Sequence, residues 1–174
     1  MTPLDDLNSA QASVLKDAIV LLSTIREYAA DTPKTVAEAI DTLRGIRAEA
    51  YEDLNQLQHE YLILRAAEWL VENKIVPNTV SWSWNPRQTG DLTEPDLAAE
   101  LSGVRLVSAE ITASAGPIGK IDSRMAGTLR KLSTMPGERY YFVGSEPMRR
   151  RARTKVEKQE WSIHVVMIGV SNAL

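Results

Sequence analysis

The 174-residue chain has no cysteine and only two histidines. The lack of cysteine excludes a disulfide framework and any thiolate metal site, and it fits a reducing cytoplasm. His59 and His164 are too few and too isolated for a histidine metal centre. No uncharged apolar run approaches the roughly 20 residues that span a bilayer. The opening Met1-Thr2-Pro3-Leu4-Asp5-Asp6 lacks the basic and apolar regions of a secretory signal. There is no Ser-His-Asp order and no GxGxxG. Gly116-Pro117-Ile118-Gly119-Lys120 lacks the spacing and the trailing Ser/Thr of a phosphate loop. No internal repeat or low-complexity segment appears. A soluble, cytoplasmic protein that neither spans nor enters a membrane is expected.

What remains is an ordinary globular composition, 44% hydrophobic and 25% charged, enough for one domain with a helical extension. The net charge of −3 is unevenly spread. Residues 1–75 hold 7 Lys/Arg against 13 Asp/Glu, whereas residues 76–174 hold 13 against 10. An acidic front suited to packing on protein and a basic back suited to a polyanion are implied.

Leu7, Val14, Ala18, Leu21, Ile25 and Tyr28 recur at steps of three and four, with Gln11 the polar member, and predict a first helix. Ala30-Asp31-Thr32-Pro33 supplies a stop and a restart, with Asp31 or Thr32 as cap and Pro33 in the new first turn. A second stripe runs from residue 34 to about residue 73 through Val36, Ile40, Leu43, Ala50, Leu54, Leu57, Tyr61, Leu64 and Val71. Arg47 and Glu68 interrupt it, and Gly45 is a candidate kink. A helical hairpin over residues 1–57, its second helix continuing to about residue 73, precedes a second region at 58–174. Each helix of such a hairpin buries one seam, so a bundle is expected, completed by the downstream domain or by a second copy of the chain.

Residues 75–84 are β-rich and end in a turn over 85–91. Leu97, Ala99 and Leu101 alternate with Asp96, Ala98 and Glu100, and Ser102-Gly103 turns the chain into a returning strand over 106–112. Ile121, Met125, Leu129 and Leu132 mark an amphipathic helix, residues 139–143 a strand, and residues 146–158 a basic helix. Residues 161–170 read as a strand buried on both faces, with His164 a satisfied core residue. The order is helix, three strands, helix, strand, basic helix, strand: an α/β (α+β) architecture.

Asp96 begins one strand and Glu110 ends the next, so a hairpin can bring the two carboxylates side by side. Such a pair repels unless one protonates or a divalent ion lies between them. Mg²⁺ takes one or two carboxylates with waters and phosphate oxygens, and it activates water. Pro95-Asp96, then Glu110-Ile111-Thr112, resembles the signature of the PD-(D/E)XK, or restriction-endonuclease-like, nuclease superfamily. The element order from about residue 58 to residue 170 is similar to that superfamily's αβββαβ core. The resemblance implies Mg²⁺ (or Mn²⁺) on Asp96 and Glu110, joined by a Glu of the preceding helix, Glu60 or Glu68. Thr112 stands where the superfamily has Lys. Lys120 and Lys131 are the candidate replacements, and loss of catalysis is the alternative.

The second candidate feature is the basic helix. Arg149 and Arg153, and Arg151 and Lys155, are four apart; with Arg150 and Lys158 they form rows able to neutralise phosphates, which Arg124, Arg130 and Lys131 extend. Trp82 and Trp84 share one side of a strand, which favours packing over base stacking. The reading is a homodimeric, Mg²⁺-dependent endonuclease acting on DNA. Its rivals are a catalytically inactive, nucleic-acid-binding or assembly subunit, and a helical scaffold for partner proteins.

Overall fold

A computed structural model describes residues 1–86 and 93–169. In chain order the elements are β1 (Thr2–Leu4), α1 (Leu7–Tyr28), α2 (Val36–Glu72), β2 (Ser81–Trp84), β3 (Leu97–Leu101) and β4 (Val104–Thr112). There follow α3 (Lys120–Ser133), β5 (Glu138–Val143), α4 (Glu146–Lys158) and β6 (His164–Met167). The strands form one mixed sheet in sequence order; β1 to β4 are antiparallel, and β5 and β6 add in parallel.

The helical hairpin forms as its two apolar stripes predict. Gln11 of α1 bonds Glu68 near the end of α2, and Tyr28 lies over Gly45 near its start, so the helices run antiparallel. Gly45 does not break α2, which is one continuous helix; a Cβ there would lie 2.5 Å from the Tyr28 ring. Asp6 caps α1 by accepting from Asn8 N and Ser9 N. Neither Asp31 nor Thr32 caps α2. Thr35 does, its hydroxyl accepting from Glu38 N (3.2 Å), while the Glu38 carboxylate reaches back to Lys34 N (2.7 Å).

From Leu62 to Leu70, α2 sinks into the domain and becomes its central helix, with Ile63, Leu64, Ala66, Ala67 and Leu70 buried. Alternate residues of β5 separate two cores. Tyr140 and Phe142 join the cluster under α2, where Trp69 meets Phe142 edge-on with ring centroids 5.6 Å apart. Tyr141 and Val143 join the cluster under α3 and α4. Helices therefore cover both faces of the sheet, in three layers.

Several expectations are corrected. Residues 75–80 are not strand: Ile75 N and Val76 N fold back onto Leu70 O, and Val76 and Val80 are buried as part of a turn. Thr2–Leu4 adds an unexpected edge strand, where proline is tolerated because one side needs no ladder bond. The pairing of β3 with β4 shifts register between Ala99 and Glu100, so the alternation stops there and Leu101 is exposed. Ser102 and Gly103, both at positive φ, make the tight turn expected of that dipeptide. The last strand is short and lies at the sheet's edge; Val165 is buried, but Met167 and His164 are exposed, and His164 stacks on Tyr140 at 4.9 Å rather than sitting in the core. Most of the expected turn at 85–91, and Val170, lie outside the described residues. Among the described residues no helix is long and apolar enough to cross a membrane.

Candidate active site

Asp96 and Glu110 come together through the β3–β4 hairpin. Leu97 pairs with Ala109, and one further step of that register sets Asp96 opposite Glu110. Both are buried, at 3% and 4% exposure. Asp96 is held at three points: its carbonyl accepts from Asn85 N (2.8 Å), Oδ2 accepts from Ile111 N (2.8 Å), and His59 Nε2 lies 3.4 Å from Oδ2.

Lys131 completes the cluster from α3. Its ammonium forms a close ion pair with Glu110 Oε1 and donates to Glu94 O at 3.1 Å. Lys120 is exposed at the first turn of α3, roughly 16 Å along the helix from Lys131. Of the two candidate lysines, only Lys131 reaches the acidic pair. Thr112 stays half-buried on β4, where it hydrogen-bonds Tyr141.

The electrostatics follow from burial. Desolvation, then the charge of Asp96, push the Glu110 carboxyl up to about 8; Lys131 and His59 pull the other way. Burial works against a charged His59, yet the hydrogen bond and charge of Asp96, with the Pro86 carbonyl on Nδ1, raise its pKa. Tyr141, the β5 partner of Glu110, is raised first by burial and then by the two carboxylates. Asp96, a Glu110 carboxyl held above its ordinary range, the Tyr141 phenol and the Lys131 and His59 side chains thus share one buried cluster.

These residues suit a hard divalent cation bound through two carboxylates. Burial and then the charge of Asp96 hold Glu110 above its ordinary range, and a dication between the two carboxylates would relieve that repulsion, although Lys131 and His59 already lie against the pair. No group of three His, Cys, Asp or Glu side chains able to hold an ion occurs among the described residues. Glu60 is buried on α2 but does not join Asp96 and Glu110 as a third ligand. Glu68 is engaged by Gln11 and Arg65 in the hairpin seam.

The basic helix α4 forms over the expected residues, but much of its charge is spent internally. Arg151 grips Asp122 of α3 with two bonds (2.7 and 3.0 Å), and Lys155 adds a third at 3.1 Å. Arg149 pairs with Glu146 at 2.7 Å, and Arg150 lies 4.0 Å from the same carboxylate. Arg153 and Lys158 are exposed without an ion pair among the described residues, as are Arg124 and Arg130. Trp82 and Trp84 pack against the α2 core, as their shared side predicts.

His59 was missed because a lone histidine in a helical stripe carries no signal; its partner Asp96 lies 37 positions away and is reached only in the fold. The chain matches no protein-family model, no curated protein and no solved structure.

Proposed function

We propose that the chain is a metal-dependent endonuclease of the restriction-endonuclease-like type, hydrolysing DNA phosphodiester bonds. The observation that carries this reading is the convergence of Asp96, Glu110 and Lys131 at the β3–β4 hairpin, with the lysine supplied from α3 in place of the motif position. The order α2, β2, β3, β4, α3, β5 is also the αβββαβ order that the resemblance implies.

Asp96 and Glu110 would hold Mg²⁺ or Mn²⁺, which supplies Lewis acidity and a more acidic bound water. Ile111 N and His59 fix the Asp96 carboxylate, so its oxygens need not reorient during turnover. Lys131, one end of its ammonium tied to Glu94 O, places positive charge where a phosphate's equatorial oxygens gain charge during attack. Arg150, Arg153 and Lys158 present exposed cations for the backbone of the strand.

Thr112 favours a second reading, an inactive nucleic-acid-binding subunit. Plasmid cleavage with Mg²⁺ or Mn²⁺ separates the two. Metal-dependent nicking by the wild type, abolished by Asp96→Ala and by Glu110→Ala, supports the nuclease. Inert wild-type protein that still retards DNA on a gel overturns it in favour of the binding subunit.

A further inference from the structure

The hairpin is amphipathic on two sides, and the fold covers only one of them. Leu7, Val14 and Leu21 turn inward. A second row on α1, Leu15, Ile19 and Leu22, lies a third of a turn away and faces outward. On α2 the outward rows are Val36, Ile40 and Leu43, then Tyr51 and Leu54. These eight side chains are 44–81% exposed, although the steps of three and four that separate them are those of a helix-packing seam. Between the helices runs an apolar groove of about 790 Å³, rimmed by Leu15, Leu22 and Leu54 and floored by Ile25 and Leu57. Along α1 it extends from Gln11 to Ile25, roughly 21 Å at 1.5 Å per residue.

We infer that this groove takes the hairpin of a second copy of the chain, closing a four-helix bundle. Three observations select that occupant. The groove and the exposed ridge lie on the same element, so a two-fold axis lets each copy's ridge fill the other's groove and closes the assembly without further addition. Eight large apolar side chains, at about 100 Å² apiece, offer roughly the 800 Å² per partner that a stable interface buries. Charges of both signs are interspersed along the hairpin, Lys16, Arg26 and Arg47 among Asp17, Glu27 and Glu49, so a second copy can offer each sign its opposite.

The hairpin region still carries ten acidic against five basic residues over 1–57, so two copies repel weakly at long range. Self-association must therefore tighten as salt screens that repulsion, the opposite of what a basic partner would show.

Sedimentation equilibrium of the full chain across the micromolar range tests this, with Leu22→Glu/Leu54→Glu as the disrupting variant and Met167→Lys at the β6 edge as the control. The expected result is a wild-type species of twice 19.3 kDa that tightens with salt. The hairpin variant should dissociate at least about ten-thousandfold more readily, since the dimer would bury four carboxylates and each costs more than a factor of ten, while keeping the wild-type circular dichroism because both positions are exposed in one chain. Met167→Lys should remain dimeric. A wild type that stays monomeric throughout overturns the inference and leaves the groove to a foreign partner. A dimer that survives the hairpin substitutions, or is lost with Met167→Lys, overturns it by placing the contact elsewhere.

Discussion

Replacing Glu110 by Gln should make the metal-free protein more stable at high pH. The reasoning begins with burial: at 4% exposure and beside Asp96, the Glu110 carboxyl ionises only at about 8, against an ordinary 4.5. Between those values the folded chain keeps a proton that the unfolded chain has released. Stability must then fall as pH rises, by roughly 1.4 kcal/mol for each unit, and the fall ends once the folded carboxyl has also ionised. Over the whole window the loss is about 5 kcal/mol, a large part of a small domain's stability. Gln keeps the shape and cannot ionise, so its unfolding curve loses this slope. His59, whose pKa is raised in part by the Glu110 charge, adds a slope of the same sign, so the difference between the two proteins reads Glu110 together with its coupling to His59. Urea denaturation in a chelator at several pH values from about 5 to about 9 reads the effect directly. The wild-type midpoint should fall steeply while the variant's falls little. Excess Mg²⁺ at the alkaline end should restore the wild type and leave Glu110→Gln unchanged, by mass action on the folded state. Parallel midpoints for the two proteins would refute the buried, repelled carboxylate.

Other outcomes follow from the same geometry. Lys131→Met should reduce metal-dependent cleavage by at least about a hundredfold, as loss of a preorganised charge does, whereas Lys120→Met should leave it unchanged; single-turnover cleavage assays compare them. Asp122→Asn releases Arg151 and Lys155, so DNA affinity should rise and the slope of log affinity against log salt should steepen by about 0.9 for each new phosphate contact; fluorescence anisotropy at several salt concentrations measures it. Thr35→Ala removes the cap of α2 and should cost about 1 kcal/mol in chemical denaturation, while Thr32→Ala should cost nothing measurable.

Elements whose signal is local were legible in the chain. The stripes of α1 and α3 match the faces they bury, and Ser102-Gly103 encodes its own turn; the α2 stripe predicts the helix, but its Val36, Ile40, Leu43 and Leu54 stay exposed while the buried face runs from Leu62 to Leu70. The spacing from Asp96 to Glu110 is a hairpin's spacing, so their pairing could be anticipated before any coordinates. The capping box of Thr35 and Glu38 was also written plainly, but Asp31-Thr32-Pro33 competes with it in the sequence, and the structure starts α2 at the Thr35 cap. Other features depend on what lies across the fold. A three-residue strand containing proline has no periodicity to detect, and Thr2–Leu4 exists only because β2 offers an edge. The apolar run at 161–170 looks like an interior strand, yet nothing pairs beyond β6 among the described residues. Lys120 and Lys131 are chemically equivalent in sequence, and the choice between them rests on which end of α3 meets the hairpin.

One helix, α2, runs unbroken from the tip of the hairpin to the floor of the domain, and it carries His59 on the way. From Ile40 to His59 is roughly 28 Å of rigid rod. Such a rod acts as a ruler: whatever clasps its outer end sets the position and the azimuth of the imidazole beside Asp96. Inserting one residue near Gln56 would push the outer arm away by about 1.5 Å and swing it by about 100°, whereas inserting seven would lengthen it by about 10 Å and nearly preserve its phase. The length of α2 is thus a mechanical parameter of the molecule, linking the spacing of anything held at the arms to the spacing of the acidic centres they carry.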